Sequence, residues 1–146
     1  VAGYIENDVN SLLNSAPNIA VYWKNGVMTQ LTDGSFGALT YSITGSGSDV
    51  YIAGEEDEGN NRIAVYWKNG TADPVSSNDG TGSPEASARS IFLSGTDVYV
   101  CGFESTKEPN AIIFPTYWKN GISVQLSKPY AAYPDTFFGG GIFVTN

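Results

Sequence analysis

The side chains in this 146-residue chain with the widest chemical range are its carboxylates. Fifteen Asp and Glu stand against seven Lys and Arg, there is no His, and Cys101 is the single cysteine. Without His, the usual Ser-His-Asp and Cys-His nucleophile arrangements cannot be built, and His-ligated zinc sites are excluded. A reactive thiol wants a basic neighbour. Cys101 has none close in sequence and reads as a small buried residue, and one cysteine neither forms an intrachain disulfide nor decides a compartment. Carboxylates alone can do two things. Hard cations such as calcium take several oxygen ligands, and the densest oxygen run is Glu55-Glu56-Asp57-Glu58, followed by Gly59-Asn60-Asn61. Glu56, Asp57 and Glu58 are the calcium candidates, although the spacing of an EF-hand loop is absent. A carboxyl pair about 5–10 Å apart can hydrolyse a glycosidic bond, with Asp33, Asp79 and Asp135 as candidates. Nothing separates these from ordinary turn aspartates, so the chain is read as non-catalytic, with no catalytic residue assigned and no cofactor beyond the calcium candidate.

Net charge removes further classes. At −8 the chain lacks the basic footprint that nucleic acid requires, and the same balance disfavours anionic membrane surfaces. No apolar run reaches the ~18 residues of a membrane-spanning helix. No glycine-rich phosphate loop follows a strand and opens a helix. Asn69-Gly70-Thr71 fits a glycosylation sequon, but it falls in a tight repeated turn and reads as accident. No signal-peptide pattern is present, and an opening in mid-strand is compatible with a removed leader.

The elements that must position these carboxylates come from a repeat. Tyr-Trp-Lys-Asn-Gly occurs at Tyr22–Gly26, Tyr66–Gly70 and Tyr117–Gly121. A second phrase recurs at Asp49–Gly54 and Asp97–Gly102. Trp23, Trp67 and Trp118 are spaced 44 and 51; Gly3, Gly54 and Gly102 are spaced 51 and 48; Ile43, Ile91 and Ile142 are spaced 48 and 51. A period near 50 points to a propeller, solenoid or array. Each unit reads as four strands, A to D, rich in Val, Ile, Tyr, Phe, Trp and Thr and bounded by Gly, Asn, Asp and Ser. Asn-Gly between C and D predicts a two-residue type I′ hairpin. Four short antiparallel strands per repeat is the size of a propeller blade.

The Tyr-Trp-Lys-Asn-Gly and Asp-Val-Tyr-x-x-Gly phrases resemble those of bacterial secreted or envelope β-propeller repeat proteins of the Bacteroidetes type, over nearly the whole chain. The resemblance implies an all-β propeller and an extracellular or cell-envelope location; it names no active site. The chain reads as one unit, 1–146, with repeats at about 1–38, 39–87 and 88–137 and a spare A-type strand at 138–146. Three blades are fewer than the about 4–8 of a closed ring. Closure is therefore expected either from a second chain, giving a six-bladed homodimer by strand exchange, or from sequence outside this chain.

Connectivity sorts the loops into two faces. Tight A–B and C–D turns share one, and longer B–C and D–A segments share the other. Twelve of the fifteen acids fall in the second group, while Lys24, Lys68 and Lys119 sit at the C–D turns. Loops that vary on a rigid scaffold carry binding. The expected ligand face is thus acidic, for a glycan, a peptide or protein, or a cation, and self-assembly through strand exchange is the alternative use. Glu55, Glu56, Asp57, Glu58, Phe103, Glu104, Tyr130 and Tyr133 are its candidate binding residues, with Phe36 beside them. Trp23, Trp67 and Trp118 recur at one repeat position, so they are read as packing between blades and not as sugar platforms.

Overall fold

A computed structural model describes residues 1–6, 17–75, 85–106, 112–126, 130–131 and 141–142. Among these residues there is no helix, and the strands form three antiparallel sheets. The first holds β1 (Ala2–Ile5), β2 (Ile19–Lys24) and β3 (Val27–Gln30) in that order. The second is β4 (Ala38–Ser46), β5 (Asp49–Glu58), β6 (Asn61–Lys68) and β7 (Thr71–Pro74). The third is β8 (Ala86–Ser94), β9 (Asp97–Ser105), β10 (Ile112–Lys119) and β11 (Ile122–Gln125), with the short β12 (Tyr130–Ala131) also on β10.

Two recurring contacts explain the two repeated phrases. Asn69 takes a φ of 51° and Gly70 of 90°, and Asn25-Gly26 and Asn120-Gly121 behave alike, as a type I′ turn requires. The Asn side chain then ties strand C to strand B. Asn69 Oδ1 accepts from the Val50 N–H at 2.9 Å and Nδ2 donates to Asp49 Oδ1 at 2.9 Å. Asn120 does the same to Val98 and Asp97, at 2.8 and 2.9 Å. The preceding lysine completes the staple: Lys68 Nζ lies 3.5 Å from Asp49 and Lys119 Nζ 2.7 Å from Asp97, each over a Tyr ring of the same phrase. Asp-Val-Tyr and Lys-Asn-Gly are therefore two halves of one structural device. Its charges cancel in the second and third repeats, while Lys24 of the first donates to the Ser48 carbonyl at 2.8 Å.

The recurrent glycine has a separate cause. A Cβ at Gly54 would run into the Leu39 carbonyl oxygen and stand 2.8 Å from the Trp67 ring; at Gly102 it would meet the Ser87 carbonyl oxygen. The first strands of the later two sheets press close there, just before a β-bulge that makes Tyr41 and Arg89 the extra residues of β4 and β8.

The sheets stack in chain order. β4 packs on β1 and β2, and β8 crosses β4, β5 and β6. Small residues permit the approach: Ala53, Ala64, Ala86 and Ala88 are fully covered. Trp67 fills the first junction with Ala20, Tyr22, Ala38, Ile52 and Val65. Trp118 fills the second with Tyr51, Val75, Ile91 and Val100. Both are completely buried, while Trp23, whose ring would face the far side of the first sheet, is only half-buried. The stacking rule repeats in a hydrogen bond. The Ile91 N–H donates to Ser42 Oγ at 3.3 Å, and the Ile142 N–H to Ser90 Oγ at 3.2 Å. Residues 141–142 thus stand to the third sheet as β8 stands to the second. The rest of the spare strand lies outside the described residues.

Candidate functional site

The acidic run is not a loop. β5 continues through Glu58, and a two-residue turn at Gly59-Asn60 leads directly into β6. The expected long B–C loop is absent here because the run pairs across the hairpin: Glu56 with Ile63, Asp57 with Arg62, Glu58 with Asn61. Strand geometry sends alternate side chains to opposite faces, which separates charges that adjacent loop residues would have crowded together. Glu55 turns toward the third sheet. It is 3% exposed and contacts both arginines of the chain, with Arg62 Nε at 3.3 Å and an Arg89 amino nitrogen at 3.7 Å. Asp57 also meets Arg62, at 3.6 Å.

Glu56 belongs with Trp67 on the opposite face. Burial raises its carboxyl above the ordinary value, the charges of Glu58 and Asp33 raise it further, and the Trp67 indole pulls it part of the way back. Trp67 Nε1 itself is buried and closes no hydrogen bond. Glu104 stands in the same relation to Trp118 one repeat on. It is buried, and its carboxyl is raised by that burial against the pull of Gln125, Trp118 and Thr116. This Glu–Trp pairing escaped the reading from sequence, although Gly54-x-Glu56 and Gly102-x-Glu104 carry it.

Glu56 and Glu58 open onto a cleft of about 550 Å³ at the junction of the first two sheets. Leu31, Phe36, Ile63 and Pro74 supply apolar walls, and Asp33, Glu56, Asp57 and Glu58 supply carboxylates. The connection from β3 to β4 brings half of this lining. Asp33 Oδ1 accepts from the Ser35 N–H at 2.8 Å, which holds its carboxyl below the usual range. The Asp57 N–H donates to the Gly37 carbonyl at 2.7 Å and pins that connection against the acidic hairpin. Phe36 is left 55% exposed at the rim.

The other candidates are scattered. Phe103 is buried, with the Arg89 guanidinium 5.7 Å from its ring, so it is an internal contact and not a ligand platform. Tyr130 contributes backbone to β12, opposite Ile113. Tyr133, Asp79 and Asp135 lie outside the described residues. The calcium candidates Glu56, Asp57 and Glu58 all border the cleft, and among the described residues no group of three or more His, Cys, Asp or Glu is arranged to hold a metal ion. Cys101 is half-buried, and burial pushes its thiol up, away from reactivity. No helix among the described residues is long and apolar enough to cross a membrane. Arg62, Arg89 and Tyr41, which the sequence reading passed over, prove to be neighbours of Glu55. The signal available was that both arginines fall outside the repeated phrases.

Comparison with known proteins returns no matching family model, no matching curated protein and no matching solved structure.

Proposed function

We propose that the chain is a non-catalytic binding module built from propeller-type blades, and that its acid-rimmed cleft takes a basic, partly apolar segment of a partner protein. The observation that carries this is the convergence of Glu56, Glu58 and Asp33 on one apolar-walled cleft, where burial first, and then the charges of Glu58 and Asp33, raise the Glu56 carboxyl. A Lys or Arg side chain would relieve that repulsion, and its aliphatic stem would lie on Leu31, Phe36 and Ile63. A neutral sugar would leave the repulsion in place. The repeat phrases support an extracellular or cell-envelope setting, where the turn face, with Lys68 and Lys119 paired to Asp49 and Asp97, leaves the acidic face to make the contact.

The test is a fluorescence-anisotropy titration with a labelled peptide of alternating Lys and Leu, beside a Glu/Leu counterpart. Binding of the basic peptide alone is expected. It should weaken with salt and fall by about tenfold or more in Glu56→Gln/Glu58→Gln, as expected for loss of charge-assisted contacts. Equal binding of both peptides, or of neither, rejects the cleft as a cation-reading site.

A second reading, self-association by strand exchange, is favoured by the Ile142–Ser90 hydrogen bond, which repeats the Ile91–Ser42 contact between sheets. In it, residues 141–146 of one copy serve as the first strand of a further blade and pair with β1 of another.

A further inference from the structure

Among the described residues β3, β7 and β11 each stand at one edge of a sheet. β7 guards its edge with Asp73 and Pro74, a charge and a proline on an open strand. β11 has neither. Its Ile122 and Val124 pair with Lys119 and Tyr117 as Thr71 and Asp73 pair with Lys68 and Tyr66, so they hold the same places one repeat on. Strand alternation sets them on one face. They are 72% and 39% exposed, with Leu126 at 50% just beyond. An apolar stripe on an unguarded edge marks an interaction surface. The alternate positions read Val27, Thr29, Leu31 and Asp33 in the first repeat, Thr71, Asp73, Val75 and Ser77 in the second, and Ile122, Val124, Leu126 and Lys128 in the third. Only the third runs from apolar residues into a cation. Residues 109–134 as a whole carry two lysines and no acid, in a chain of net charge −8. Lys119 is tied to Asp97 at 2.7 Å, and Lys128 lies outside the described residues. Glu104, which meets Gln125, is buried on the opposite face of the sheet.

We propose that segment 122–128 of one copy seats in the acid-rimmed cleft of a second copy. This seat rests on the reading of the cleft as a site for a basic, partly apolar segment, and gives that segment an identity. Charge complementarity selects the occupant. Asp33, Glu56 and Glu58 line the cleft, while segment 122–128 is free of acids and ends on a lysine. A chain with fifteen acids repels its own copy unless local patches of opposite sign face each other. The apolar parts match as well. Val124 and Leu126 would lie on Leu31, Phe36 and Ile63, while the lysine ammonium reaches the carboxylates. Leu31 and Asp33 of the cleft are the first-repeat equivalents of Leu126 and Lys128. One strand end thus builds the receptor, and its counterpart in the third repeat supplies the ligand.

Sedimentation velocity over rising concentration tests the association, and an anisotropy titration with a labelled peptide of residues 122–131 tests the seat. The intact chain should gain mass with concentration, and less so at high salt. The repeat supplies a variant: Ile122→Thr/Val124→Asp installs the residues of the second repeat at two exposed positions. It and Lys128→Glu should each weaken association by about tenfold or more, as should Glu56→Gln/Glu58→Gln on the cleft side. Mixing the stripe variant with the cleft variant should give mixed species, since one brings an intact cleft and the other an intact stripe. Deleting residues 141–146 should leave this association in place. The peptide should bind the wild-type chain and its Lys128→Glu form should not, a result that stands even if a variant fails to fold. If the Lys/Leu peptide binds and the 122–131 peptide does not, the cleft reading holds and the second-copy seat is overturned; if neither binds, both are. A chain that stays monomeric overturns the seat. So does association unchanged in the cleft variant, which would mark edge-to-edge pairing of β11, or association lost only on deleting 141–146, which would mark strand exchange.

Discussion

Trp67 and Trp118 show how much one residue does at a sheet junction. Each is fully buried among small and β-branched side chains, so Trp67→Ala should cost about 3–5 kcal/mol, the range for large aromatic deletions in cores. Trp23→Ala should cost clearly less, because that ring is only half-buried. Denaturant melts of both variants check this; equal losses would mean that the far face of the first sheet is covered in solution. Glu104 makes a second residue-level prediction, with a definite sign. Burial raises its folded carboxyl above the 4.5 of the free group. The native state therefore takes up a proton before the unfolded state as pH falls, and at neutral pH the buried charge subtracts from stability. Glu104→Gln should raise the melting temperature at pH 7, and the gain should shrink as pH falls through the raised value toward 4.5. A gain or loss independent of pH would show that the charge of Glu104 is not what matters there.

Individual strands take their form from the repeat, and the departures carry the chemistry. The close approach at Gly54 and Gly102 leads to a prediction at this scale. Gly54→Ala should destabilise by about 1–3 kcal/mol, as overpacking does, because the Leu39 carbonyl is backbone and cannot swing aside. Gly47→Ala is the contrast: its penalty comes from a φ of 59° in an open turn, with no atom within 4 Å of the added Cβ. Thermal melts of the two should differ in size, and equal small effects would mean that the strand can shift. Much of this level was legible in sequence. The Asn-Gly turns, the strand order within each repeat and the register between repeats follow from residue types and spacing. The extent of β5 was not. Four consecutive acids read as loop, because a run of like charge has no strand signature, whereas the cross-strand partner Arg62 and the pairing of the hairpin support the extension.

The assembled molecule presents a turn face where Lys68 and Lys119 are paired with Asp49 and Asp97, and an opposite face holding the acidic cleft. The self-association reading belongs to this scale. If residues 141–146 carry the contact, light scattering should give the intact chain twice its own mass, and deleting those residues should leave monomer or aggregate, since an apolar strand edge left open invites uncontrolled pairing. Association that survives the deletion with unchanged melting would show that the strand plays no part.

The sequence alone determined the repeat, the hairpin turns and the use of tryptophan as filler, because these depend on local backbone preference and on a periodicity that a single chain displays. It also excluded His-based catalysis and a basic nucleic-acid surface through composition. The tertiary structure alone decided which carboxylates meet. Glu55 was drawn to Arg62 and Arg89, while Glu56 and Glu58 joined Asp33 and Phe36, which lie more than 15 residues away in the chain. Strand alternation splits neighbours in sequence onto opposite faces, and sheet stacking brings distant residues together, so neither grouping can be read from spacing.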